Sequence, residues 1–219
     1  YLDRAPDQSR DAVLLDNTRG ARRAVEHLLK LEHRKIAIVM TRGISTHAER
    51  YAGYRRALEE SGLAARTDYV VETDAEVEDA FSATLRLMAS ADPPTAIFAT
   101  NARLTIGVMA AVHARGLRCP DDVSILGHDG SDWQTAFKPG LTIVDQPALR
   151  MGRMAAEMLI QRITGALDGP PRRVILNPDL VVRESCGVYR GGLRAPGAAG
   201  ASAPGAANGS APADTTPGR

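Results

Sequence analysis

Lys35-Ile36-Ala37-Ile38-Val39-Met40, Thr95-Ala96-Ile97-Phe98-Ala99-Thr100 and Val123-Ser124-Ile125-Leu126-Gly127 are almost unbroken apolar runs. A strand with one wet face alternates apolar and polar residues. A run that is apolar throughout must be covered on both faces, so the three segments read as strands of a parallel sheet with helices on either side. Outward from them, helical patterns occupy 18–31, 46–61, 75–89 and 102–115, the first and last with apolar residues at three- and four-residue spacing. Gly62 and Gly116 stand where C-terminal caps belong, and Asn17 and Asn101 where N-terminal caps belong. The repeated strand–helix order implies a doubly wound α/β fold with right-handed crossovers. Such sheets bind ligands beyond the carboxyl ends of their strands, which directs attention to the loops after Met40, Thr100 and Gly127.

Beyond Asp145 the pattern predicts a further helix over 147–164, then short apolar runs at 174–176 and 180–182 separated by Asn177-Pro178-Asp179. Pro178 restricts its predecessor to extended geometry, so this reads as a turn or a crossing. From 191 to 219 the chain is almost entirely Gly, Ala, Pro, Ser and Thr, a composition that cannot bury enough surface to offset its ordering entropy. A disordered tail is expected there.

The 219 residues are 44% hydrophobic, enough for a buried core, and 27 Lys and Arg against 26 Asp and Glu leave a net charge of +1. The basic residues are scattered, so this segment presents no footprint for nucleic acid. Cys119 and Cys186 have no partner at metal-ligand or redox spacing. No export signal opens the chain and no apolar run approaches the ~20 residues of a membrane span, so a cytoplasmic protein without a membrane partner is expected.

Phosphate-cradling glycine loops, H-E-x-x-H and G-x-S-x-G are all absent from the sequence, which argues against an enzyme, a metal and a cofactor. The five histidines are scattered and read as surface or internally satisfied residues, with His128 alone at a strand end. Three polar residues lie near the expected strand ends. Arg50 sits near a helix start and could fork two hydrogen bonds to hydroxyls or a carboxylate, or could be a solvated helix arginine. Asn101 follows the second apolar run and could face a ligand or only cap the next helix. Asp129 follows the third and offers acceptor oxygens to ligand hydroxyls, with a simple Asx-turn as the competing reading.

Taken together, 25–29 (VEHLL), 33–37 (HRKIA) and 49–54 (ERYAGY), then 94–101 (PTAIFATN), 116–129 (GLRCPDDVSILGHD), 141–147 (LTIVDQP) and 181–186 (VVRESC), resemble successive segments of LacI/GalR-type transcription regulators in order. The resemblance covers nearly everything before the tail. It implies a periplasmic-binding-protein-like type I fold: two doubly wound parallel-sheet subdomains joined by three crossovers, the effector held between them. The crossings fall near Asp16/Asn17, Asp145/Gln146 and Pro178. Residues 1–16 and 146–178 would form a partial N-terminal subdomain, and 17–145 with 179–187 the C-terminal effector-binding one. Family members begin with a helix-turn-helix headpiece, so operator DNA would be bound only through that missing part, by a homodimer.

The family's effector contacts fall on Asp3, Thr46, Arg50, Asn101, Asp129 and Gln146, and a sugar is the expected ligand. Departures are Glu32, where the family has Gly before His33, Ala102 after Asn101, and His128-Asp129-Gly130 in place of an aromatic residue and two aspartates. A solute-binding protein of a sugar transporter, which shares this fold, is the alternative.

Overall fold

The computed structural model describes residues 1–130 and 138–191. Apart from Gly191, the expected disordered tail lies outside the described residues. The protein is an α/β structure with two sheets. The larger contains β2 (Ile36–Thr41), β3 (Val70–Thr73), β4 (Ala96–Ala99), β5 (Ser124–His128), β6 (Thr142–Asp145) and β8 (Asp179–Val181), in the order β3-β2-β4-β5-β6-β8. All its pairings are parallel except β6 with β8. Every residue of β2, β4 and β5 is buried, as their unbroken apolar character requires.

Alternate strand residues face two separate cores. Ile36, Ile38, Phe98 and Leu126 pack with Val25 and Leu28 of α1 (Asn17–Lys30) and Tyr54 and Leu58 of α2 (Ser45–Glu60). Val39, Ile97, Ile125 and Ile143 pack with Leu87 of α3 (Val77–Met88) and Leu104 and Val108 of α4 (Ala102–Ala114). Within each layer a glycine lets two helices touch backbone to backbone. A Cβ on Gly53 would lie 2.2 Å from the Thr18 carbonyl oxygen, and one on Gly107 would lie 2.5 Å from that of Val77.

The smaller sheet pairs β1 (Ala12–Leu15) with β7 (Arg173–Leu176) in parallel, and Leu2 adds a parallel bridge to Val13. Val13, Leu15 and Leu176 pack with Met151 and Met158 of α5 (Ala148–Ile163). The chain passes between the sheets after β1, after β6 and after β7. These passages are tied together: Asp16 donates its N–H to Leu176 O at 2.8 Å, and Arg23 Nη1 donates to Pro178 O at 3.3 Å.

The helix ends both follow and correct the sequence reading. Asn101 caps α4 by accepting from Leu104 N–H at 2.8 Å. The cap of α1, however, is Asp16, whose Oδ1 accepts from Arg19 N–H at 2.9 Å, and not Asn17. Asn17 is instead the first helical residue, and its buried amide serves other partners described below. At their C-terminal ends α1, α2 and α4 share one geometry. The residue in the left-handed region bonds back to the carbonyl three before it, and the next residue bonds to the carbonyl five before it. That residue is Gly62 (φ 73°) in α2 and Gly116 (φ 67°) in α4, but Glu32 (φ 69°) in α1.

Candidate functional site

The sheet reverses its direction of growth between β2 and β4, and the carboxyl ends there are lined by hydroxyls and amides. Thr41 ends β2, and Thr100 and Asn101 follow β4; the Asn101 amide donates to Thr41 Oγ1 at 3.3 Å. Into this gap α2 delivers its first two turns. Thr46 and His47 are buried, and Arg50 is 3% exposed. Arg50 Nε donates to Asn17 Oδ1 at 2.8 Å and Nη1 to the Thr100 carbonyl oxygen. The Asn17 amide nitrogen in turn donates to Glu49 Oε2 at 2.8 Å.

This arrangement revises the picture of a free guanidinium fork. Arg50 is not a solvated helix arginine: it is buried, and its Nε and Nη1 each donate to the protein. Burial lowers its pKa, opposed by the charges of Asp129, Asp3 and Glu49.

His47 and His128 flank the cluster as neutral rings. The Thr41 N–H donates to His47 Nδ1 at 3.1 Å and Thr100 Oγ1 lies 2.7 Å from the same atom; with Nδ1 accepting from the backbone, the ring proton sits on Nε2. Burial, reinforced by the charge of Arg50, holds the His47 pKa down to about 4. His128 is fully buried and its Nδ1 lies 2.7 Å from Asp129 Oδ1. A carboxylate can only accept, so Nδ1 carries the proton and Nε2 is an acceptor. Nε2 has no hydrogen-bond partner among the described residues. Burial lowers the His128 pKa as well.

Asp129 adopts φ 68° and its N–H donates to Val144 O at 3.0 Å. Burial works to raise its pKa, but the His128 hydrogen bond and the nearby charge of Arg50 outweigh that and leave it lowered. The next residue must be small: a Cβ on Gly130 would lie 1.9 Å from Asp145 Oδ1. Asp3 belongs to the smaller sheet's side, held at φ 64° by its N–H to Val13 O at 2.8 Å. Its Oδ1 is buried without a partner among the described residues, and its charge acts on both Arg50 and His128.

The structure therefore brings Asp3, Arg50, Asn101 and Asp129 into one polar cluster, with Thr46 buried in the adjoining turn. Gln146 is half-buried in the passage after β6, and its side chain makes no hydrogen bond to another described residue. Sequence reasoning missed His47, Asn17, Thr41 and Thr100. By sequence His47 reads as a satisfied histidine, and only its position seven residues beyond Met40, the end of an apolar run, points otherwise. A cavity of about 590 Å³ lies between α4 and Leu141, lined by Ile106, Met109, Val112 and Leu117 among others, and includes none of the cluster. No helix among the described residues is long and apolar enough to cross a membrane, and no group of three metal-ligating side chains occurs among them.

Residues 25–186 match the periplasmic binding protein-like domain, and the chain belongs to that family. Its relatives are transcription regulators of the LacI type. The HTH-type transcriptional repressor PurR of Haemophilus influenzae is 33% identical over 187 residues, which is 84% of this chain and 56% of that protein. The chain thus spans a little over half the length of the curated relatives it matches. Among solved structures, the transcriptional regulator CelR in complex with cellobiose superposes with a TM-score of 0.77 at 32% identity, covering 83% of this chain and 55% of that one. A LacI family regulator from Enterococcus faecium with bound ribose gives 0.78 at 28% identity, covering 86% and 70%.

Proposed function

We propose that this chain is the effector-sensing part of a LacI-type transcription regulator, and that it binds a sugar through Asp3, Thr46, Arg50, Asn101, Asp129 and Gln146. The observation that carries this reading is the convergence of Arg50, Asn101 and Asp129 on the carboxyl ends of β2, β4 and β5, beside the point where strand order reverses. The cellobiose and ribose complexes of its relatives support a sugar. In this reading residues 1–16 and 146–178 belong to one subdomain, and 17–145 with 179–187 to the other. Effector contacts from both favour one angle between them, and that angle sets the spacing of two DNA-binding headpieces in a cytoplasmic homodimer. Coupling of this kind is limited by the effector's differential affinity for the two states, about 1–3 kcal/mol. No covalent step is required. The transporter alternative draws no support from the named relatives, which are regulators.

A thermal-shift screen against sugars, polyols, nucleobases and sugar phosphates tests the proposal. A ligand at 100 times its Kd adds about 2.7 kcal/mol, or roughly 5–10 °C in Tm for a chain of this size. The shift should vanish in Asp129→Ala and Arg50→Ala, each compared with its own ligand-free Tm because Arg50 also supports the fold. A shift that persists in both variants, or no shift from any compound, would sink the proposal.

A further inference from the structure

We infer that the site selects by charge and hydrogen-bond polarity, taking neutral or cationic polyhydroxylated effectors and rejecting their phosphorylated or carboxylated counterparts. The inference rests on the effector-sensing reading and narrows its ligand class.

Its basis is a pair of unfilled buried acceptors beside partly committed donors. The group best suited to an anion, the Arg50 guanidinium, has Nε committed to Asn17 and Nη1 to the Thr100 carbonyl. Bidentate capture of a phosphate or carboxylate through the Nε–Nη2 edge is therefore blocked, and on the Nη1–Nη2 edge one N–H of Nη1 is already given to Thr100. One N–H of the Asn101 amide is likewise given to Thr41 Oγ1. The fully buried atoms of the cluster that lack a partner among the described residues are acceptors: His128 Nε2, whose proton lies on the opposite nitrogen, and Asp3 Oδ1. A buried acceptor without a donor is costly, so a ligand O–H or N–H group is favoured there and an acceptor-only anion is not.

Charge points the same way. Around Arg50 stand the carboxylates of Asp129, Asp3 and Glu49, and Asp145 lies against Gly130 beside Asp129. Arg4 also acts on Arg50, and its Nε is 3.9 Å from Asp3 Oδ2. The two histidines add no charge at neutral pH. Carboxylates thus outnumber guanidinium groups, and a further anion would enter an already negative, poorly hydrated surrounding.

Titration calorimetry of the full chain with matched ligands tests this: ribose with ribose 5-phosphate, glucose with glucosamine, gluconate and glucose 6-phosphate, cellobiose with cellobionate, adenosine with adenosine monophosphate. In any set that binds, the neutral or amino member should bind at least ten times more tightly than the anionic one. The ratio should shrink several-fold in Asp129→Asn and in Asp3→Asn. An anionic member binding as tightly as its neutral counterpart, or a ratio unmoved by both substitutions, overturns the charge rule while leaving effector binding intact. Failure of every member to bind overturns the effector reading itself, and the charge rule with it.

Discussion

Thr41 donates its backbone N–H to Nδ1 of His47 across 3.1 Å, beside Thr100 Oγ1 at 2.7 Å from the same nitrogen, and the ring that accepts this bond is 4% exposed at the heart of the polar cluster. The ring can gain a proton only by losing that bond and carrying a charge out of water next to Arg50.

Stability should therefore depend on pH with a defined sign. The His47 pKa falls from its ordinary 6.5 to about 4 on folding, so between those values the unfolded chain binds the proton that the folded chain refuses. Stability rises with pH across that window and is fully present above it. His33 and His128, also lowered, act in the same direction. Urea midpoints should fall steadily from about pH 7 to about pH 4.5, with His47 contributing about 3 kcal/mol at most. His47→Asn, which keeps an acceptor for Thr41, should flatten the profile; an equally steep profile in the variant would remove His47 as its source.

Glu32 holds φ 69° at the end of α1, in a geometry that α2 and α4 assign to glycine. The left-handed region costs a side-chain-bearing residue about 1–2 kcal/mol, and glycine's greater freedom in the unfolded chain returns about half of that. Glu32→Gly should thus raise stability by roughly 0.5–1 kcal/mol in chemical denaturation. A loss of stability would mean that the Glu32 side chain makes a compensating contribution.

Two glycine-to-alanine substitutions in helices should move stability in opposite directions. At Gly53 the new methyl meets the Thr18 carbonyl at 2.2 Å, a backbone atom that cannot yield without separating α1 from α2. A loss of about 2–3 kcal/mol is expected, as for other overpacked cores. At Gly152 in α5 no atom lies within 4 Å of the added Cβ, and the better helix propensity of alanine should add about 0.5–1 kcal/mol. Paired unfolding curves decide the matter, and the same sign at both sites would refute the close-contact explanation.

The strands that could be read from sequence are those whose apolar residues run unbroken: β2, β4 and β5 needed no tertiary information. β1, β3 and β6 carry no distinctive period: β1 is only four apolar residues long, β3 and β6 each hold two polar residues in four, and Glu72 of β3 is exposed. Asn17 was misread as a cap because Asp16 beside it has the same capping chemistry, and only the packing of α2 shows which of them is needed by Arg50. At the site, residue type and position after a strand were enough to single out Arg50, Asn101 and Asp129. What could not be read was how they are spent. That Arg50 is internally bonded and His128 Nε2 left over depends on contacts among residues 17, 50, 100 and 128–129, which no spacing rule encodes.

The larger sheet ends on one side at β3, four residues long and carrying Glu72 ion-paired with Arg42, and on the other at the three-residue antiparallel β8. Its most adhesive segments, β2, β4 and β5, are enclosed between neighbours. A foreign strand approaching either border meets a template too short to register several backbone hydrogen bonds, and at one border it also meets charge. The single reversed strand thus acts as a terminator: it closes a sheet whose interior sequences would be aggregation-prone if they stood at the edge.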